Sequence, residues 1–157
     1  MSVRFRPARG EDLARIVELI ADDIVSAERT GTLDALHLAA FEAIEADPNN
    51  EVVVAELDGA VVGTMQLTYV PGISRHGGTR LLVEAVRVDA RLRGGGIGRQ
   101  MMLWAHERGR ARGCVRVQLT SDKRRADAHR FYRSLGYEQS HEGFKLALED
   151  RAVSVQS

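Results

Sequence analysis

Residues 88–99 read Val88-Asp89-Ala90-Arg91-Leu92-Arg93-Gly94-Gly95-Gly96-Ile97-Gly98-Arg99, four glycines among three arginines. Before them, Thr79 to Val88 (TRLLVEAVRV) is a run of strand type. After them, a helix is predicted from about Gly98 to Arg112, with Gly113 as its C-terminal cap. A glycine loop between a strand and a helix aims unpaired backbone N–H groups, and the positive end of a helix dipole, at one small volume. Such a volume suits a pyrophosphate, because a Cβ at those positions would hold the phosphate oxygens away from the amides. A flexible turn is the competing reading of any glycine cluster, and the strand before, the helix after and the basic surroundings shift the balance toward an anion site. Two familiar phosphate loops do not fit. A P-loop needs Lys and Ser or Thr after its last glycine, whereas Gly98 is followed by Arg99-Gln100; a dinucleotide fingerprint starting at Gly96 needs Gly or Ala where Met101 stands.

The charge along the chain singles out the same region. The whole sequence is neutral, but residues 1 to 86 hold 7 basic and 14 acidic side chains (net −7), residues 87 to 133 hold 13 and 4 (net +9), and residues 134 to 157 hold 2 and 4 (net −2). A neutral total argues against a whole-protein affinity for nucleic acid. The basic segment also lacks interleaved aromatics and a helix-turn-helix pattern.

At 157 residues the chain is read as one domain, 1–149, followed by a flexible tail over 150–157. A lone Cys114 cannot form an internal disulfide. Charge interrupts every apolar run of the N-terminal stretch MSVRFRPARGEDLARIVELI, so neither a signal peptide nor a membrane span is expected, and the location is read as cytoplasmic. No His, Cys, Asp or Glu cluster has metal-ligand spacing, and no metal is expected. Cys114 reads as buried and inert, and the pair Met101-Met102 as core.

Outward from the loop, the order is regular. Val3 to Arg6 alternates like a strand, and Glu11 to Ile24 carries apolar residues at helical spacing. A second helix covers Asp34 to Ala46. Glu51 to Leu57 and Ala60 to Val70 are β-rich and joined by Asp58-Gly59, a two-residue hairpin signal. Cys114 to Thr120 alternates like a strand, a helix from about Arg124 to Leu135 carries Ala128, Phe131 and Leu135 on one face, and Tyr137 to Ser140 and Phe144 to Leu148 read as two closing strands. The resulting fold class is α/β (α+β): a mostly antiparallel mixed sheet of about seven strands flanked by about four helices, with one strand–Gly loop–helix–strand crossover at its centre.

The stretch Val88 to Gly98 resembles the acetyl-CoA loop of the GNAT acyltransferase superfamily, V-x-P-x-x-(R/Q)-x-x-G-x-(G/A), with Ala90 in place of the usual proline. Ala128-His129-Arg130-Phe131-Tyr132-Arg133-Ser134-Leu135-Gly136-Tyr137 is similar to the family's A-x-x-F-Y-x-x-x-G-(F/Y). Only Glu84 to Tyr137 carries specific motifs, although the element order of most of the chain is also the family's. The resemblance implies an N-acetyltransferase that uses acetyl-CoA as acyl donor. It implies that the backbone of Val86, Arg87 and Val88 lies along the pantetheine arm, and that Arg93, Gly94, Gly95, Gly96, Ile97, Gly98 and Arg99 hold the pyrophosphate. Arg125, Ala128 and Phe131 join them as cofactor contacts. Tyr132 matches the position that protonates the departing thiolate, as a phenol with a pKa of about 10 can. Glu84, a carboxylate in the apolar run LLVEAVRV, is the candidate base, acting through water; the two-residue period puts it on the face of Val86 and Val88 unless a bulge intervenes. A Glu paired with Arg80 or Arg116 is the plainer alternative for Glu84. Arg124 and Arg125 fit a solvated helix start as well as they fit a cofactor contact, and His129, one helical turn before Tyr132, reads rather as a surface residue.

The acceptor implied is a small-molecule or peptide amine. Asp22, Asp23 and Glu28 would form an acidic wall that favours a cationic one. An acyl-CoA-binding sensor without turnover is the alternative function. A homodimer through the apolar FKLAL segment near the C-terminus is a further expectation.

Overall fold

The computed structural model describes residues 2–23, 26, 27 and 30–148. The chain divides into two compact units, Met1–Leu119 and Thr120–Ser157. The first holds a five-stranded sheet in the order β1 (Arg4–Pro7), β2 (Asn50–Leu57), β3 (Ala60–Val70), β4 (Thr79–Val88) and β5 (Cys114–Gln118). Its first three pairings are antiparallel, and β4 runs parallel to β5. Helices α1 (Leu13–Ala21), α2 (Ala35–Ala46) and α3 (Ile97–Ala111) belong to this unit. The parallel pair requires a crossover, which the glycine loop and α3 supply.

Local chemistry explains the hairpin and the helix starts. Asp58 and Gly59 both take positive φ, 52° and 81°, as a tight hairpin turn demands. Asp34 caps α2 by accepting from the amides of Leu36 and His37. The helix expected from Glu11 opens instead as a 3-10 turn, Gly10–Asp12, because the Asp12 carboxylate accepts from the Arg9 amide (2.7 Å) and from the Arg6 guanidinium (2.7 and 3.0 Å). Those Arg6 bonds hold the Asp12 carboxyl below its ordinary pKa against the opposing effect of desolvation.

Helices α1 and α2 cover one face of the sheet and α3 the other. Leu13, Ile16 and Val17 of α1 pack with Ala8, Phe41 and Val54. On the other face, α3 buries Ile97, Met101, Met102 and Ala105. Truncating Met101 or Met102 to Ala is expected to cost about 2–5 kcal/mol. A Cβ at Gly63 would sit 3.0 Å from Met101 Sδ and 3.1 Å from the Arg87 carbonyl oxygen, so bare backbone is what lets α3 approach the sheet there. Gly63 pairs with Ala55 and Val88, whereas Thr64 pairs with Val54 and Arg87. Val88 therefore faces α3 and Arg87 faces α1.

In the second unit, α4 (Ala126–Ser134) stands within the helix expected at 124–135, and Gly136 follows it at φ 95°. The runs Tyr137–Ser140 and Phe144–Leu148, expected as strands, form none, so five strands lie among the described residues where about seven were expected. Alternation gives a segment two faces, but a strand exists only where a neighbour takes its hydrogen bonds. Phe144, Leu146 and Leu148, the apolar residues behind the expected dimer contact, are 95%, 84% and 94% exposed. The expected tail, 150–157, and Glu28 lie outside the described residues. Among the described residues no helix is long and apolar enough to cross a membrane, and no group of three or more His, Cys, Asp or Glu side chains is placed to hold a metal ion.

Candidate functional site

The site is built on β4. Gln66 pairs with Glu84 and Thr64 with Arg87, so three steps on β4 oppose two on β3, and the extra residue is a β-bulge. Ala85 takes a left-handed φ of 52° there, a conformation that costs an L-residue about 1–2 kcal/mol. The bulge corrects the face expected for Glu84. It shares its face with Leu82 and Arg87, on the α1 side, and Val88 lies on the opposite one. Glu84 is exposed and has no ion pair among the described residues, with Arg80, Arg116 or any other.

Beyond this point β4 loses its partner on one edge. The β4–β5 rungs end at Leu82 with Gln118, yet β4 continues to Val88. Among the described residues no strand pairs with residues 83–88 on that edge, so backbone groups there are left for a ligand that lies along the strand. The Arg87 side chain is committed elsewhere. It donates to Ser26 Oγ (2.7 Å) and to the Val86 carbonyl (2.9 Å), and pairs with Asp23 at 3.4 Å. Asp23 also accepts from the Ser26 amide, so one of the three acids expected to face a cationic acceptor is already paired, with Arg87. Asp22 remains exposed.

The glycine loop follows without a break. Asp89, buried at its base, donates its amide to the Val62 carbonyl. Its carboxylate accepts from the Arg91 amide and guanidinium and from Arg15 at 2.6 Å. These bonds, those of Arg91 foremost, hold its carboxyl well below the usual carboxylate range. Ala90, at the family's proline position, starts a 3-10 turn ending at Leu92. Gly94 and Gly96 have φ of 85° and 86°, with no heavy atom within 4 Å of where a Cβ would stand. Glycine is needed here for conformation, and the space above it is open.

Gly96 is the N-cap of α3 and has no side chain to satisfy the first amides, those of Ile97, Gly98 and Arg99. Ile97 is 1% exposed, so only its backbone faces the loop. Gly95 donates its amide to the Leu92 carbonyl. Arg93 and Arg99 are exposed, and neither has an ion pair among the described residues. An open cradle of amides flanked by two unneutralised guanidiniums fits a pyrophosphate.

The second unit carries the other motif. On α4, Ala128, Phe131 and Tyr132 are half-buried, and the Tyr132 ring meets Phe131 and Tyr137 edge-on with centroids 5.2 and 5.7 Å apart. Burial pushes the Tyr137 phenol up. Arg125 stands at the N-cap of α4, Arg124 pairs with Asp122, and His129 Nε2 lies 2.9 Å from the Asp122 carbonyl, which ties the helix to the turn before it. Met101 and Met102 are core, and Cys114 is half-buried with its thiol pushed up by desolvation.

Residues 13–137 match the Acetyltransferase (GNAT) family. The chain belongs to that family. It is accordingly a GNAT-type acyltransferase that takes its acetyl group from acetyl-CoA. It is 36% identical over 108 residues to the aminoalkylphosphonate N-acetyltransferase of Salmonella typhimurium, covering 69% of this chain and 70% of that one. Among solved structures, it superposes on a transcriptional regulator from Bacillus halodurans C-125 with a TM-score of 0.90 at 41% identity, covering 94% and 100% of the two chains. A putative acetyltransferase from Agrobacterium tumefaciens gives 0.80 at 29%, covering 92% and 99%.

Sequence reasoning missed two parts of this GNAT site. The Asp89–Arg15 link joins residues far apart in the chain, although Asp two residues before Arg91 was a readable turn signal. The bulge at Ala85 has no glycine to announce it.

Proposed function

We propose that this protein moves an acetyl group from acetyl-CoA to a primary amine by direct attack, with Glu84 as the base, acting through water, and Tyr132 as the acid. The observation that carries the reading is the unpaired edge of β4 at residues 83–88, which runs from Glu84 into the open glycine loop. When bound, acetyl-CoA supplies a thioester carbonyl as electrophile. The chain's own part is to hold and to move protons. The amides at Gly96 to Arg99, with Arg93 and Arg99, hold the pyrophosphate end, and the backbone of Val86, Arg87 and Val88 aligns the pantetheine arm. Arg125, Ala128 and Phe131 complete the cofactor contacts. Glu84 takes the proton that the attacking amine must lose, and the Tyr132 hydroxyl gives one to the leaving sulfur.

The acceptor is a small-molecule or peptide amine. The name of the Salmonella relative joins an amine to a phosphonate and supports the small-molecule half of that reading. The test is thiol release from acetyl-CoA across a panel of amines. Release that depends on the added amine is expected; binding of acetyl-CoA with no release for any amine would leave an acyl-CoA sensor.

A further inference from the structure

At the end of β4 opposite the glycine loop, three arginines come together with no acid among them in the described residues. Arg80 pairs with Arg116 across the β4–β5 rungs, which sends both side chains out of one face. Arg75 comes from the turn between β3 and β4, where it and His76 hold left-handed φ of 54° and 57°. Backbone in that region is strained for such residues and concentrates where a side chain must be aimed. Desolvation, and then the like charges of Arg75 and Arg80, lower the Arg116 pKa from its ordinary value.

Elsewhere in the same unit Arg6, Arg9, Arg15, Arg87, Arg91, Arg108 and Arg110 form ion pairs, whereas Arg93 and Arg99 stand open at the glycine loop. Arg75, Arg80 and Arg116 form none among the described residues, and the Arg80 Nε is buried with no hydrogen-bond partner. A buried guanidinium donor beside two further positive charges is unfavourable on its own, and an anion at the centre of the three removes both penalties.

Position decides which ligand carries the anion. Arg80 and Val88 pair with Val70 and Gly63, seven rungs apart once the bulge is allowed for, about 23 Å along the strand, so the cluster is remote from the cofactor loop. Arg80 is four residues from Glu84, about 13 Å, and no bulge intervenes: Val70, Thr68 and Gln66 pair in turn with Arg80, Leu82 and Glu84, all on one face. We propose that Arg75, Arg80 and Arg116 form an oxyanion site for the acceptor, which is a small amine bearing a tetrahedral dianion, a phosphonate or a phosphate monoester. The dianion sits among the guanidiniums and the amine points along the strand toward Glu84. The cluster would repel the cationic acceptor expected from Asp22 and Asp23. The amine's position rests on the acetyl-transfer reading above; the anion site does not.

Two measurements test it together. Calorimetric titration with 2-aminoethylphosphonate and with O-phosphoethanolamine reads binding without turnover. Thiol release reads kcat/KM for each, relative to 3-aminopropan-1-ol. At least one dianion is expected to bind and to be used about tenfold or more better than the alcohol, as charge-assisted bonds to guanidinium imply. Which of the two is preferred names the source of the dianion. Arg80→Gln and Arg116→Gln should each cut that ratio about tenfold, and Arg75→Gln, on an exposed turn where folding is not at stake, should lower it in the same direction. A ratio near one, no dianion binding at millimolar concentration, or a ratio that survives both Arg75→Gln and Arg116→Gln overturns the site. Dianion binding that the variants lose, with no thiol release for any amine, keeps the site and overturns the transferase reading. Release that ignores the dianion does the reverse.

Discussion

The two ends of β4 offer an anion different things. At the Val88 end the donors are backbone amides, opened by glycines at positive φ and set at the start of a 15-residue helix. At the Arg80 end they are side chains from a turn and two strands, gathered by the sheet register. A backbone site must solve a conformational problem, and glycine is the residue that solves it cheaply, so the solution is written as a spacing. A side-chain site needs only that the fold bring its members together. No spacing records that.

The largest effect is expected at the glycine end. Gly96→Glu places a strained side chain and a negative charge in the open cradle. Acetyl-CoA at about 100 times its Kd is expected to stabilise the wild-type protein by about 2.7 kcal/mol and the variant by nothing, read from melting curves. A wild-type melting temperature indifferent to saturating acetyl-CoA would remove the backbone site altogether.

A smaller effect is expected at the proton-transfer groups. Tyr132→Phe leaves the ring contacts with Phe131 and Tyr137 in place and removes the hydroxyl alone. Turnover should fall about 10²-fold or more with acetyl-CoA affinity intact, because the proton goes to a thiolate that exists only after attack. Weakened affinity with normal turnover at saturation would make Tyr132 a packing or binding element. Glu84→Gln should cost most where the amine is protonated. With an acceptor pKa near about 10.4, its deficit should shrink as pH rises, since a free amine needs no base. A deficit constant across pH would take the base role from Glu84.

What could be read from the sequence follows the same division. Thr79–Val88 was legible to the residue because it is a largely apolar run rich in β-branched residues between two turns, and Asp58-Gly59 was legible because its turn type requires that chemistry. The loop was legible as a spacing of glycines. The face of Glu84 was not: it depends on one inserted residue whose φ of 52° is taken up by an alanine. Phe144, Leu146 and Leu148 alternate as a strand does but lie exposed and unpaired, since alternation says nothing about whether a neighbour is present. Arg75, Arg80 and Arg116 carried no signal at all in a chain where arginine is common throughout.

The subtlest effect tests how the loop end manages its own positive charge. Arg91 and Arg15 share Asp89, whereas Arg75, Arg80 and Arg116 share no acid among the described residues. Asp89 is depressed in the folded state by the hydrogen bonds of Arg91, then of Arg15, so it binds its proton less readily folded than unfolded. Its contribution to stability is therefore full above the unfolded carboxyl pKa of about 3.9 and is lost as pH falls below that value toward the lower folded pKa. Asp89→Asn removes this term, and it also loosens the base of the loop by weakening the cap on the Arg91 amide. Urea melts should show the variant less stable than wild type at pH 7, with the gap narrowing at pH 3. Asp12 and Glu51 are depressed as well, but they remain in both proteins and cancel in the difference. A gap that is the same at both pH values would mean that Asp89 holds the loop by its shape and not by its charge.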